Sequence, residues 1–196
     1  MYQEPPVATQ DRAVRTRQAL IHSAAEAFER HGYVPATLAD ISAGAGVSVG
    51  ALHFHFANKA DVATSVEMAA AVRLRRAARN AQRPGTNALQ RLTDTSYALA
   101  DQLRRDVVSR AGLKLSGEGA REGGLDLRRE WRDFVRRLLA EASDQDFPDE
   151  PVERSDMADL IVAATTGFEL LARRDPAWAA PPLLSTFWRL VLPRTP

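Results

Sequence analysis

Two short amphipathic segments separated by a glycine lie between residues 37 and 58. Thr37 can cap the start of the first segment, with Asp40 three residues later as an imperfect capping box. Gly46 interrupts the pattern, and Ser48 can cap the second segment. Two short helices joined by a glycine-containing turn form a helix-turn-helix, whose second helix enters a DNA major groove. The pattern therefore predicts that the chain recognises double-stranded DNA.

The composition is that of a globular protein with one or two domains. The chain has 196 residues, of which 45% are hydrophobic and 26% are charged. The absence of cysteine excludes disulfides and thiolate chemistry and fits a cytoplasmic protein. Because no apolar run is long enough to cross a bilayer, no membrane partner is predicted.

Positive charge suited to DNA is local, since the formal net charge is only +1. Arg12, Arg15 and Arg17 cluster near the start of the first predicted helix, where they are well placed for phosphates. A second arginine cluster lies between residues 73 and 83, and the pattern favours a solvated helix face for it.

The spacing of apolar residues predicts an all-α chain. Besides the two short helices, we predict helices over residues 12–31, 59–83, 87–105, 107–115, 125–142, 155–173 and 178–192. Glycine-rich residues 116–124 and acidic residues 144–151 are predicted as loops. Pro84-Gly85 marks the candidate boundary between domains. The prediction is thus a flexible arm over 1–11, a helix-turn-helix domain over 12–58, a connecting helix over 59–85 and a second helical domain over 86–196.

No catalytic, cofactor or metal site is predicted. The sequence has no Ser-His-Asp arrangement with a supporting motif and no phosphate-binding glycine loop after a strand. His53 and His55 are two residues apart, which places them on different faces of a helix. The chain is therefore predicted to act by binding and not as an enzyme.

An ordered set of residues over about 12–62 extends the helix-turn-helix pattern well beyond one motif. The set comprises Thr16-Arg17, residues 20–28, Gly32-Tyr33, Thr37, Ile41, residues 45–48, Gly50-Ala51-Leu52, His55-Phe56, Lys59 and Asp61. In this order they resemble the tetracycline-repressor-like (TetR) family of transcriptional regulators. The resemblance implies a homodimeric repressor that recognises two half-sites about 34–36 Å apart on a pseudo-palindromic operator.

A second resemblance lies downstream. Residues 110–115, Arg-Ala-Gly-Leu-Lys-Leu, and later Glu130-Trp131-Arg132 look like the γ-butyrolactone receptor subfamily of actinomycetes. That resemblance implies release from DNA by a small lactone, butenolide or furan, and it makes residues 86–196 a ligand-binding and dimerisation domain. Two alternatives stand beside it: a repressor that senses an antibiotic or another lipophilic compound, and a helical small-molecule-binding protein without DNA binding.

The residues predicted to face DNA are Arg17, Thr37, Ser48, Val49, Gly50, His53 and Lys59. Relatives usually have tyrosine, a phosphate contact, at the position of His53, and often lysine at the position of Val49. Valine cannot donate a hydrogen bond but can touch a thymine methyl group. The Ser48 hydroxyl can serve the helix cap, a phosphate or both, whereas Gly50 can provide close approach to DNA or packing room. His55 can bond locally and hold the second helix in place.

The second domain contains candidate ligand and dimer contacts. The ligand candidates are Tyr97, Leu113, Trp131, Phe134, Thr165 and Thr166. For Trp131 a core role competes with the role in a ligand pocket that the subfamily resemblance implies. The last two helices carry more apolar surface than one helix face needs, and the family resemblance implies that they pair across a two-fold axis. The predicted dimer contacts are Phe168, Leu171, Leu183, Phe187 and Leu190.

Overall fold

The computed structural model describes residues 7–117, 125–142 and 153–192. The described residues form the α-helices α1 (Val7–His31), α2 (Leu38–Gly44), α3 (Val49–His55), α4 (Lys59–Ala81), α5 (Ala88–Arg105), α6 (Val107–Gly117), α7 (Leu127–Glu141), α8 (Arg154–Ala172) and α9 (Pro181–Val191). A 3-10 helix at Pro176–Ala179 precedes α9. These ranges contain no strand, which confirms the all-α prediction. Within them, no helix combines the length and apolarity needed to cross a bilayer.

The predicted caps of the two short helices form. The Asp40 N–H donates to Thr37 Oγ1 at 3.1 Å, and the Ala51 N–H donates to Ser48 Oγ at 3.1 Å. Each bond satisfies a backbone N–H that the first turn of a helix leaves without a partner. Gly46 adopts a φ of 69°, a left-handed conformation that glycine reaches without steric cost, and it turns the chain from α2 to α3.

Three predicted boundaries differ from the structure. α1 begins at Val7, so residues 7–11 of the predicted arm are helical, and residues 1–6 lie outside the described residues. α6 runs to Gly117, so the start of the predicted 116–124 loop is helical. The helix predicted over 178–192 begins at Pro181, because a proline is favoured in the first turn of a helix but not within it. The predicted loop over 144–151 lies outside the described residues.

The chain forms two compact units that differ from the predicted division at residue 85. Of the described residues, the first contains 7–71, 106–117 and 125, and the second contains 72–105, 126–142 and 153–192. α6 belongs to the first unit because its buried residues Val108, Ala111 and Leu115 pack in one core with residues of α1 to α4. α4 contributes its first half to the first unit and its second half to the second unit.

Within the first unit, α6 lies close against α4 at Gly112. A Cβ atom added to Gly112 would clash with the Cβ of Ala70, and it would lie 3.3 Å from the Val66 carbonyl oxygen and 3.4 Å from Glu67 Cα. Any larger side chain at this position would therefore push the two helices apart.

The second unit has its own core. Its buried residues include Leu92, Val135, Leu138, Leu139, Ile161 and Trp188. The indole N–H of Trp188 donates to Ser96 Oγ at 2.7 Å, so the polar atom of this buried ring is satisfied. The core joins α5, α7, α8 and α9.

We predict that Gly112→Ala lowers the free energy of unfolding by about 1–3 kcal/mol, the usual cost of forcing a methyl group into a packed contact. This cost outweighs the higher helix propensity of alanine. The matched control is Gly167→Ala in α8, where an added Cβ meets nothing within 4 Å. Chemical denaturation of both variants tests the prediction, and a Gly112→Ala variant as stable as the parent would contradict it.

Candidate functional site

α3 turns one side toward its own unit and the other toward solvent. Leu52 is fully buried, as is Phe56 just beyond the helix. The exposed residues, which we call the recognition face, are Val49, Gly50, His53 and Phe54. At about 100° per residue they cover a continuous arc of about 140°. The structure thus leaves one uninterrupted side of the second helix of the helix-turn-helix open to a partner.

Two predicted contacts at the helix starts have local partners. The Ser48 Oγ accepts the capping N–H of Ala51, and a hydroxyl that accepts one bond can still donate its hydrogen to a phosphate. The Thr37 hydroxyl donates to Asp40 Oδ2 at 2.6 Å while it accepts from the Asp40 N–H. Its hydrogen is therefore directed at Asp40, so a phosphate contact through Thr37 requires that bond to rearrange.

Gly50 does not need to be glycine for packing within the first unit. A Cβ atom at this position would lie 3.8 Å from Ser48 Oγ, an ordinary van der Waals distance, with no other atom within 4 Å. Of the two interpretations of this residue, packing room therefore finds no support in the structure. Close approach of the helix to DNA stays a prediction.

Phe54 is a member of the recognition face that the sequence analysis missed. Its side chain is 82% exposed, although it lies between two residues that turn inward, Leu52 and Phe56. The signal was present in the sequence, because residues 52 and 56 are one helical turn apart and place residue 54 on the opposite side.

Lys59 holds the start of α4 against the segment between α1 and α2. Its Nζ donates to the Val34 carbonyl at 2.9 Å and the Ala36 carbonyl at 3.1 Å. Nζ also lies 4.7 Å from the centre of the Tyr33 ring. With two of its three N–H bonds engaged, the ammonium group positions the helix-turn-helix. A phosphate contact by Lys59 remains a prediction that now depends on the third N–H.

Arg17 connects α1 with the residues that follow α3. Its guanidinium donates to Ser65 Oγ at 2.9 Å and lies 5.0 Å from the centre of the Phe56 ring. Since the side chain is exposed overall, it combines this positioning with access to a partner. Arg12 and Arg15 of the same cluster are also exposed.

In the second unit, Trp131 of α7 contacts α8 directly. Its indole N–H donates to Thr165 Oγ1 at 2.9 Å, and the Thr165 hydroxyl donates to the Ile161 carbonyl at 2.7 Å. The rings of Trp131 and Phe134 are stacked, with centroids 5.7 Å apart. Both rings are only partly buried and pack on the core of the second unit together with Tyr97. The structure therefore brings four of the predicted ligand residues to one core.

The other two predicted ligand residues are placed differently. Thr166 is partly buried on α8. Leu113 lies on α6 and belongs to the first unit, because α6 packs with α1 and α4. The apolar spacing of α6 did not reveal these partners.

Thr95 of α5, which was not predicted from the sequence, is fully buried in the second unit, and its Oγ1 has no hydrogen-bond partner. A buried hydroxyl without a partner costs about 1–3 kcal/mol, so Thr95 joins the ligand candidates.

Glu130, the neighbour of Trp131, connects α7 with α4 inside the second unit. Arg75 donates through Nε to Glu130 Oε2 at 3.0 Å and through Nη2 to Oε1 at 2.5 Å. This two-point geometry suits a guanidinium and a carboxylate. Hydrogen bonding to Glu130 raises the pKa of Arg75 above the usual value for arginine.

The predicted dimer contacts divide into two groups. Leu171 and Leu190 are exposed, Leu190 by 81%. Phe168 and Phe187 meet edge to face within one subunit, with centroids 5.3 Å apart, and Phe187 also packs on the core of the second unit. Leu183 is half-buried. Three exposed apolar residues of the same region were not among the predicted contacts: Leu160, Leu170 and Trp178.

Comparison with known proteins identifies the family of the chain. The sequence profile of "Bacterial regulatory proteins, tetR family" matches residues 20–66. The crystal structure of a γ-butyrolactone receptor, an ArpA-like protein, is 30% identical with a TM-score of 0.79, and the match covers 92% of this chain and 87% of that one. The chain belongs to the TetR family.

Two further relatives of this TetR-family chain bear on its function. CprB from Streptomyces coelicolor, solved in complex with its operator sequence, is 31% identical with a TM-score of 0.75, and the match covers 91% of this chain and 87% of that one. The A-factor receptor protein of Streptomyces griseus is 32% identical over 190 residues, which are 95% of this chain and 66% of the receptor. The chain thus spans just under two thirds of the receptor's length.

The substitution Gly50→Ala distinguishes an effect on DNA binding by the recognition face from an effect on the stability of this TetR-family chain. We predict a protein at least as stable as the parent, because alanine is favoured over glycine within helices by up to about 1 kcal/mol. Operator affinity should nevertheless fall by about tenfold, since the added methyl group would lie where we predict that the backbone approaches DNA. Thermal melting and a binding titration test both parts. A stable variant with the parent's affinity would show that this part of α3 stays away from the DNA.

Proposed function

We propose that the chain is a homodimeric transcriptional repressor that leaves its operator when a small ligand binds the second unit. The observation that carries the proposal is the recognition face, an uninterrupted exposed side on the second helix of a capped helix-turn-helix in a TetR-family chain. A relative of similar fold and length has been solved with its operator sequence bound. The proposal assigns repression to binding and not to catalysis, with the cytoplasm as its site of action.

The proposed ligand is a γ-butyrolactone or a related butenolide or furan. The relative that is 30% identical with a TM-score of 0.79 is a γ-butyrolactone receptor. Trp131 and Phe134 supply a partly buried aromatic surface, and the hydroxyls of Thr165 and Thr95 supply polar groups near or within the same core. A site for a small lactone needs this combination, because apolar walls bury the ligand while a few polar groups orient its oxygens.

The route from the ligand to the DNA is proposed to be α4. Lys59 at its start holds the helix-turn-helix segment, and Arg75 near its other end is bonded to Glu130. Because Glu130 adjoins Trp131 on α7, a ligand that shifts Trp131 also acts on the Arg75 end of α4. By linkage, the ligand must favour the released state by the difference of its affinities for the two states, typically about 1–3 kcal/mol.

The proposal is tested with the full-length protein and a random pool of DNA duplexes. We expect the protein to enrich a pseudo-palindromic duplex and a long-chain γ-butyrolactone to release it. Enrichment without release by the lactone, but with release by antibiotics of lipophilic character, would favour the antibiotic-sensing alternative. A pool in which no duplex is enriched would overturn the repressor function.

Trp131→Ala separates ligand binding from DNA binding. Because the first unit is untouched, we predict operator affinity close to the parent's. The lactone concentration needed for half-release should rise by about tenfold or more, since a large aromatic contact contributes on the order of 1–3 kcal/mol. Melting, operator titration and release are measured on one variant. A common loss of stability, DNA binding and release would instead assign Trp131 a purely structural role.

Leu190→Glu tests the proposed dimer interface. Leu190 is 81% exposed in the single subunit, so the variant should fold, whereas an unpaired carboxylate at a subunit interface costs several kcal/mol. We predict monomers in sedimentation and loss of tight operator binding. The control is Met68→Glu, at an exposed apolar position of α4, which should remain dimeric. A dimeric Leu190→Glu variant would place the interface elsewhere.

A further inference from the structure

α3 lacks every side chain that forms two hydrogen bonds to one base. Its sequence, Val-Gly-Ala-Leu-His-Phe-His, contains no arginine or lysine for guanine and no asparagine or glutamine for adenine. Its polar side chains are His53, which is exposed, and His55, which is half-buried. If this helix distinguishes base pairs, most of the discrimination must come from another kind of contact.

The recognition face is apolar at both edges. Phe54 is 82% exposed and Val49 is 41% exposed, and about 140° of helix separates them. Gly50 lies between them and presents no side chain at all. The face therefore lets the backbone approach a surface closely while an apolar group lies on either side.

The exposed position of Phe54 does not stabilise the fold, because its ring lies outside the core. An aromatic ring left in water forgoes the stabilisation that its burial would contribute. The ring is nevertheless oriented, because it meets His55 edge to face with centroids 5.3 Å apart and an interplanar angle of 88°. An exposed aromatic ring with a fixed orientation, on the open side of α3, is suited to contact an apolar partner outside the subunit.

The apolar group that DNA displays in the major groove is the 5-methyl group of thymine. We infer that Val49 and Phe54 recognise thymine methyl groups in the operator half-site, so that apolar contacts give this chain most of the base specificity of α3. The inference rests on the proposed function, because it requires an operator. It names the chemistry by which the operator is distinguished from other DNA.

The experiment replaces thymine by deoxyuridine, which lacks only the methyl group. The probe is the duplex that the full-length parent enriches from a random pool, with each thymine replaced singly. For the parent, we expect at least two replacements in each half-site to weaken binding by about fourfold, the factor for one buried methyl group. The affinity of each modified duplex is then measured with Phe54→Ala and Val49→Ala.

Each variant should lose its sensitivity at one thymine and keep it at the other. In such a double-mutant comparison, the free-energy effects of removing a methyl group and the side chain that touches it are non-additive. Met68→Ala, at an exposed apolar position of α4 outside the recognition face, should keep the parent's full pattern. The melting temperatures of the variants should equal the parent's, because neither Val49 nor Phe54 is part of the core.

Two results would overturn the inference alone: an enriched operator in which every thymine can be replaced without loss, or variants that keep the parent's losses at all positions. A pool without any enriched duplex would overturn the proposed function and this inference with it. The two failures are therefore distinguishable in one set of measurements.

Discussion

The close contact of α6 with α4 at Gly112 is the constraint on which the first unit depends. It sets Gly112 against the side chain of Ala70 and the backbone of Val66, with no room for a methyl group between the helices. The start of α4 is held in turn by the bonds from Lys59 to Val34 and Ala36. A protein hydrogen bond contributes only about 1 kcal/mol net. In a fold that is stable by about 5–15 kcal/mol, a few such contacts are nevertheless enough to fix where the recognition face lies.

In the proposed function, the energy of induction would come from the aromatic pair Trp131 and Phe134 and not from the ion pair beside it. Arg75 and Glu130 are both nearly half exposed, and exposed ion pairs contribute about 0–1 kcal/mol. Release of an operator needs a coupling of about 1–3 kcal/mol. Burial of a ligand against Trp131 and Phe134 can supply that amount. In that proposal the ion pair has a geometric role, since its two hydrogen bonds would set the direction in which a movement of α7 reaches α4.

Local features of the fold were predictable from the sequence, and tertiary ones were not. The caps at Thr37 and Ser48 depend on residues three positions apart, so the sequence alone was sufficient to predict them. The apolar spacing of α6 predicted a helix but could not say which unit it joins, because periodicity identifies a buried face without its partner. The carbonyl partners of Lys59 come from a segment 23 and 25 residues away, so only the folded chain reveals them. Among the residues that were not predicted, Phe54 is the exception, because its exposure is a local feature. The helical spacing of the inward residues 52 and 56 is enough to place residue 54 on the outer side of α3.

The charge distribution and the apolar recognition face lead to the same view of how this chain would bind DNA. Phosphate contacts give affinity that is independent of sequence and falls with salt, by about 0.9 in log–log slope for each contact. The net charge is only +1, α3 has no lysine or arginine, and both Lys59 and Arg17 spend donors within the subunit. Arg12 and Arg15 near the start of α1 are exposed and add cationic groups for phosphates, although Arg15 Nε donates to the Asp11 carbonyl at 3.3 Å. A repressor built in this way would bind random DNA weakly. A modest gain in affinity from apolar contacts with a few thymines, made by both subunits, would then be enough to distinguish its operator from other DNA.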